Sequence, residues 1–214
     1  MTPETPIVLI VDDDPSAREA LSELVEAHGM RVVAYASAGD YARAGKPEAP
    51  ACLLLDVELP DINGLDLQAQ LAGTDHPPIV FITGHGDIPS SVRAIKRGAV
   101  DFLTKPFGEE ALMAAIAAAF AEDRRLRAER AEFERLEARY GTLTPREREV
   151  LPLIVSGLLN KQAAAALGLS EVTFQVHRRN VLRKMGAASL ADLVRIAERL
   201  SIPVTHSRRG EREA

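Results

Sequence analysis

Five short apolar runs recur through the first half of the chain, and this recurrence restricts the fold more than any other feature. Ile7–Val11, Arg31–Tyr35, Ala51–Leu55, Ile79–Thr83 and Val100–Leu103 are too short for ordinary helices, and most are apolar throughout rather than alternating. Helix-compatible segments lie between most of them, the first from Pro15 to about Gly29. Strands apolar on both faces belong in a parallel sheet covered by helices on both sides. In such sheets ligands bind outside the carboxyl ends of the strands.

Five strands and five helices in about 120 residues predict an α/β flavodoxin-like (βα)5 domain. The rest follows another plan. From Glu109 to Arg139 there is no proline, and alanine, glutamate and arginine dominate, the composition of one long helix or of two with a hinge. Leu112, Ala119, Leu126, Phe133 and Tyr140 recur every seven residues. Ala115, Glu122, Glu129 and Leu136 fill the second seam position, so a solvated linker and a dimerising helix both fit. Beyond Gly141 the pattern is helical until the polar, Arg-rich stretch Ser207–Ala214, which its composition marks as disordered.

The 214 residues suffice for two domains, each with its own core. With 46% apolar and 27% charged residues, collagen-like, fibrous and disordered readings drop out. No stretch approaches the roughly 18 apolar residues of a membrane span. The opening Met1-Thr-Pro-Glu-Thr-Pro6 has neither a basic nor an apolar leader region, so a cytoplasmic protein is expected. The lone cysteine, Cys52, lies in an apolar run and reads as a buried structural thiol. The net charge of −5 conceals an asymmetry. Residues 1–122 carry 8 Lys and Arg against 19 Asp and Glu, a balance of −11, and residues 123–214 carry 18 against 12, a balance of +6. An acidic module is joined to one able to approach phosphates.

The acidic half has its chemistry at strand ends. Asp12-Asp13-Asp14 follows the first run, Asp56 the third, Thr83 closes the fourth, and Lys105-Pro106 follows the fifth. Adjacent carboxylates repel, and an oxygen-only cluster without His or Cys suits a hard cation such as Mg²⁺. A nucleotide or flavin phosphate would need a Gly-rich loop after the first strand; three carboxylates there would repel it. The remaining chemistry is attachment of a phosphoryl group to a carboxylate. Asp56 is then the nucleophile, Mg²⁺ neutralises charge, Lys105 pairs with a phosphoryl oxygen, and the Thr83 hydroxyl donates to another.

Val11-Asp-Asp-Asp-Pro15, Leu55-Asp-Val-Glu-Leu-Pro-Asp-Ile-Asn-Gly64, Ile82-Thr-Gly-His-Gly-Asp87 and Gly98-Ala-Val-Asp-Phe-Leu-Thr-Lys-Pro-Phe107 together resemble the receiver domain of two-component response regulators, over residues 5–122. The resemblance implies that Asp56 accepts phosphate from a sensor histidine kinase. It implies that Asp12, Asp13 and Asp56 hold Mg²⁺ with the backbone carbonyl of Glu58, and that Thr83 and Phe102 form the switch pair. Lys105-Pro106 is typically a cis peptide in this family. Asp14 is an extra acid without a ligand role, and His85 reads as structural or solvated.

In the basic half, Thr144, Pro145 and Glu147 have the spacing of a helix N-cap, first helical residue and capping-box acid. Val150, Leu151, Ile154 and Val155 form one apolar face of a helix ending at Gly157, with Pro152 predicting a bend or a lost hydrogen bond. A second helix over about Lys161–Leu167, a Gly168 turn, and a third from the Ser170 cap to Met185 make a helix-turn-helix. Its exposed face is expected to carry Gln175, Arg178, Arg179, Arg183 and Lys184.

Leu143–Leu151, Gly157-Leu-Leu-Asn-Lys-Gln162, Leu169-Ser-Glu-Val-Thr173 and Val176-His-Arg-Arg-Asn-Val-Leu-Arg-Lys-Met185 resemble the LuxR-type DNA-binding domain, and the whole chain is similar to NarL/FixJ-family response regulators. The resemblance implies an all-α four-helix domain over 142–205, a linker helix over 123–141, and a disordered tail over 206–214. Ala188–Arg195 fits the fourth, dimerising helix. Gln175, Val176 and Arg179 take base-facing positions, and Lys161, Thr173 and Arg178 lie near phosphates. Arg179 suits guanine and Gln175 adenine. Gln175 stands where some members have lysine, and Ala163 where the scaffold helix usually has a larger residue; His177 reads as a packing residue. The partners implied are a sensor histidine kinase, double-stranded promoter DNA, RNA polymerase and, on phosphorylation, a second copy of the chain. No enzymatic activity beyond self-phosphorylation is implied, and no membrane.

Rival readings lack their marker residues. A haloacid-dehalogenase-type phosphotransferase would need Asp where Glu58 stands. A sigma-factor region shares the Thr-Pro-Arg-Glu-Arg-Glu opening but not Val176-His-Arg-Arg-Asn180. A vestigial receiver would have lost site residues that are all present.

Overall fold

The computed structural model describes residues 5–84 and 88–203. His85 and the 206–214 tail therefore lie outside the described residues. Elements run β1 (Ile7–Val11), α1 (Pro15–Ala27), β2 (Arg31–Tyr35), α2 (Ala38–Ala44), β3 (Ala51–Asp56), α3 (Gly64–Leu71), β4 (Ile79–Thr83), α4 (Ile88–Lys96), β5 (Asp101–Thr104), α5 (Glu109–Gly141), α6 (Pro145–Val155), α7 (Asn160–Ala166), α8 (Glu171–Met185) and α9 (Leu190–Arg199). Two compact units divide the chain, meeting between Arg127 and Ala128.

The first unit is built on a five-stranded parallel sheet in the order β2-β1-β3-β4-β5. Successive side chains on a strand point to opposite faces, so each central strand feeds two cores. Leu9, Val11, Leu53, Leu55 and Phe81 pack on one face with Tyr41, Leu65 and Ala94 from α2, α3 and α4. Val8, Ile10, Leu54, Val80 and Ile82 pack on the other with Leu21 and Val25 of α1 and Leu112, Ile116 and Phe120 of α5. Double coverage explains why β1 is apolar throughout, and β3 and β4 are apolar up to their last residues, Asp56 and Thr83. Cys52 is in the second of these cores, where burial pushes its thiol pKa up.

Several boundaries differ from the sequence reading. The fifth strand is shifted one residue, to Asp101–Thr104. The first helix stops at Ala27, capped at His28, with Gly29 taking the left-handed φ of 76° that opens the turn. Helix α6 ends at Val155 rather than Gly157, and Pro152 is inside it without breaking it. Pro152 has no N–H to give to the preceding turn, while its own carbonyl accepts from the Ser156 hydroxyl at 2.6 Å. Helix α9 starts at Leu190 behind a Ser189 cap and runs to Arg199, longer than the Ala188–Arg195 expected.

The seven-residue recurrence is shared between the two cores rather than forming one seam. Leu112 and Ala119 are buried against the sheet, Phe133 is exposed, and Tyr140 packs on the core of the second unit with Leu136. Near the middle of α5, Asp123 is fully buried. Its Oδ2 accepts from the Ala51 amide at 2.9 Å and from Arg127 Nε at 2.6 Å. The Arg127 guanidinium also donates to the carbonyls of Pro47, Glu48 and Ala49. This clasp fastens α5 to the chain entering β3.

In the second unit, α6, α7, α8 and α9 enclose Val150, Leu151, Ile154, Phe174, Val181, Met185 and Leu193. Thr144 and Glu147 form the capping box the spacing predicts. Ala163 is fully buried, and His177 is half-buried.

Candidate functional site

The carboxyl ends of β1, β3, β4 and β5 meet at one edge of the sheet. Asp12, immediately after β1, is fully buried, and Asp56, the last residue of β3, is 6% exposed. Lys105 reaches both from the loop after β5, its Nζ 2.7 Å from Asp12 Oδ2 and 3.2 Å from Asp56 Oδ2. Its backbone is held by donation from its amide to the Thr83 carbonyl at 2.7 Å, and the Lys105–Pro106 peptide is cis. Asp13 is exposed. Asp12, Asp13 and Asp56 each place one carboxylate oxygen within 4.8 Å of the others. Asp14 is turned away, accepting from the Ser16 amide as the cap of α1.

Electrostatics explain why the cluster is poised. Burial pushes the Asp56 carboxyl above the usual aspartate value, and the nearby Asp12 charge pushes the same way. The Glu58 amide at 3.2 Å and Lys105 only partly offset this. Burial alone would lower Lys105, but contact with Asp12 and Asp56 overrides it and raises its pKa. Three carboxylates face one ammonium, so negative charge remains. An oxygen-only donor set with surplus negative charge fits a hard divalent cation such as Mg²⁺.

Thr83, fully buried, ends β4. Phe102 is paired in register with Phe81 and half-buried, the two ring centres 5.9 Å apart. Glu58 is exposed in the loop after β3. Gly64 opens α3 against that loop, its amide donating to the Val57 carbonyl at 2.8 Å. A Cβ at Gly64 would stand 2.3 Å from the Asp56 carbonyl oxygen. Gly64→Ala must therefore displace the backbone of the phosphoacceptor candidate. The expected cost is about 1–3 kcal/mol, read as a lower Tm in thermal unfolding.

In the second unit, the buried side of α8 is Phe174, Val181 and Met185. Val172, Gln175, Val176, Arg179 and Arg183 are exposed at helical spacing on the other. Lys161 and Thr173 are also exposed, with the Thr173 hydroxyl 2.8 Å from that of Ser170. Arg178 is half-buried, its Nη1 donating to Asn160 Oδ1 at 2.9 Å.

Lys184 departs from the expected exposed face. Its Nζ is 2.6 Å from Glu147 Oε2 and 3.1 Å from the Thr142 carbonyl, so it anchors α8 to the start of α6. Arg139 donates to the Met185 carbonyl at the end of α8, and Arg146 to the Leu167 carbonyl at the end of α7. Sequence spacing missed these anchors, because the partners are remote in the chain. The one local signal was the capping-box glutamate, whose second oxygen-borne role is not encoded nearby.

Residues 8–117 match the family model described as the response regulator receiver domain, and residues 141–197 that of the luxR family of bacterial regulatory proteins. The chain is a two-component response regulator of the NarL/FixJ family. Nodulation protein W of Bradyrhizobium diazoefficiens is 48% identical to this response regulator over 202 residues, covering 94% of the chain and 89% of the relative. The transcriptional regulatory protein FixJ of Azorhizobium caulinodans is 43% identical, covering 91% and 93%. The solved structure of the response regulator StyR superposes with a TM-score of 0.75 at 45% identity, covering 91% of this chain and 98% of that one. This response regulator thus joins a flavodoxin-like receiver to a LuxR-type helix-turn-helix domain, and its place is in transcription regulation. Among the described residues, no helix is long and apolar enough to cross a membrane.

Proposed function

We propose that this chain is a transcription factor gated by phosphorylation of Asp56, with a receiver over 5–122, a linker over 123–141 and a DNA-binding domain over 142–205. The observation that carries this is the bridging of Asp12 and Asp56 by Lys105 beside Asp13. A carboxylate oxygen of Asp56 attacks the phosphorus of a phosphohistidine on a sensor kinase. The P–N bond breaks, the imidazole departs with its electron pair and takes up a proton, and an acyl phosphate remains on Asp56.

Asp12, Asp13, Asp56 and the Glu58 carbonyl would hold Mg²⁺, which, when bound, neutralises negative charge on the transferring group and on the acids around it. Lys105 exchanges its carboxylate partner for a phosphoryl oxygen, and the Thr83 hydroxyl donates to another. The Phe102 ring turns inward as Thr83 shifts, and this repacking biases the face formed by α4 and β5. Ile88, Val92 and Ile95 are 79%, 45% and 46% exposed on α4 at helical spacing. An apolar stripe of this kind supports pairing of two receivers.

Paired chains bring two α8 helices to two half-sites in the major groove of promoter DNA, where the complex meets RNA polymerase in the cytoplasm. Gln175, Val176 and Arg179 face bases, while Lys161, Thr173 and Arg178 lie near phosphates. The test compares analytical ultracentrifugation and DNA gel shift with and without beryllofluoride and Mg²⁺. The expected result is a mass shift to dimer with tighter DNA binding, and unchanged mass and affinity would refute the gating.

A further inference from the structure

Val172 stands out on the DNA-binding unit. It is 72% exposed in the first turn of α8, so burial in the folded monomer gains little from an apolar side chain there. It is absent from the core of Phe174, Val181 and Met185. A single exposed valine is ordinary on a protein surface. This one precedes Gln175, Val176 and Arg179 by three, four and seven residues, so it shares their face one turn nearer the helix start. Val176, the neighbour at i+4, is itself 49% exposed. Two valines thus form an apolar patch on a face otherwise occupied by Gln175, Arg179 and Arg183.

Duplex DNA suits both parts of that face. Cationic side chains match phosphates, and the one apolar group a base presents in the major groove is the C5-methyl of thymine. Recognition helices place their N-terminal residues at the base edges. We infer that Val172 is a further specificity-determining residue, making an apolar contact with a thymine methyl beyond the bases faced by Gln175, Val176 and Arg179. The inference rests on the DNA-binding reading above.

The test uses the full chain with beryllofluoride and Mg²⁺. Wild type first selects its operator from a random duplex library. Affinities of wild type, Val172→Ala and Val172→Thr are then measured on that operator and on versions with each thymine replaced by deoxyuridine. Loss of one methyl contact is expected to weaken wild type about threefold to fivefold at one thymine per half-site. Val172→Ala should show no such loss there, Val172→Thr should retain part of it, and losses at other thymines should be equal in all three. Equal losses at every thymine, or an operator in which no thymine methyl matters, would overturn the assignment while leaving DNA binding intact. Failure of wild type to select any sequence would overturn the DNA-binding reading and the assignment with it.

Discussion

Asp56→Asn is expected to reduce phosphoryl uptake to background, measured as radiolabel transferred from a small-molecule phosphodonor or a histidine kinase. Asparagine keeps the shape of the side chain but offers no anionic oxygen to attack phosphorus. The same variant should show neither the mass shift nor the gain in DNA affinity with beryllofluoride. A variant that still takes up label would move the acceptor to another residue. The substitution should also stabilise the fold. Burial and Asp12 hold the Asp56 carboxyl above its usual value, so its ionisation costs stability wherever it is charged in both folded and unfolded chains. In chelator at neutral pH, Asn should therefore raise the receiver Tm, as read in thermal unfolding. The gain should vanish below about pH 4, where the acid is protonated in both states.

Glu147→Ala is expected to cost the DNA-binding unit about 2–4 kcal/mol and lower its Tm by about 10–20 °C, as followed by circular dichroism. Glu147 is 3% exposed, and its Oε2 accepts from both Lys184 and the Thr144 amide, at 2.6 and 2.9 Å. Truncation removes the reciprocal half of the α6 capping box, the bond from the Thr144 amide, and leaves the Lys184 ammonium, 24% exposed, with the Thr142 carbonyl but no carboxylate. Lys184→Met should also destabilise, by leaving a buried carboxylate unpaired. The double variant Glu147→Gln/Lys184→Met should be more stable than Lys184→Met alone. Burial by itself would raise the Glu147 carboxyl, but Lys184 and Thr144 outweigh it and hold the pKa below the usual 4.5. Its contribution is therefore complete above the unfolded value and is lost as pH falls through the lower folded value. If Lys184 instead contacted DNA, Lys184→Met would weaken binding without changing Tm.

Much of the acidic site was legible because a parallel sheet brings the carboxyl ends of its strands to one edge. Once the apolar runs were located, Asp12, Asp56, Thr83 and Lys105 had to converge there. The capping box at Thr144 and Glu147 was legible for a similar reason, since both partners lie within one turn. Lys184 was misread because a helical wheel reveals which positions share a face, not which neighbouring element covers it. Asp123 is the same kind of case: it opens the stretch expected to be a linker helix, for which a solvated and a dimerising role both fitted. Yet Asp123 is fully buried beneath the chain entering β3, 72 residues from the amide it caps.

The sequence by itself determined the order of strands and helices, the acids at strand ends and the helix caps, because these depend on side-chain periodicity and contacts within a turn. Tertiary structure alone decided which charges are available. Lys105 is drawn between Asp12 and Asp56, Lys184 is fixed to Glu147, Arg178 is tied to Asn160, and Arg179 is left exposed. The physical reason is that burying a charge is costly unless a partner meets it, and the partners that meet these come from distant parts of the chain.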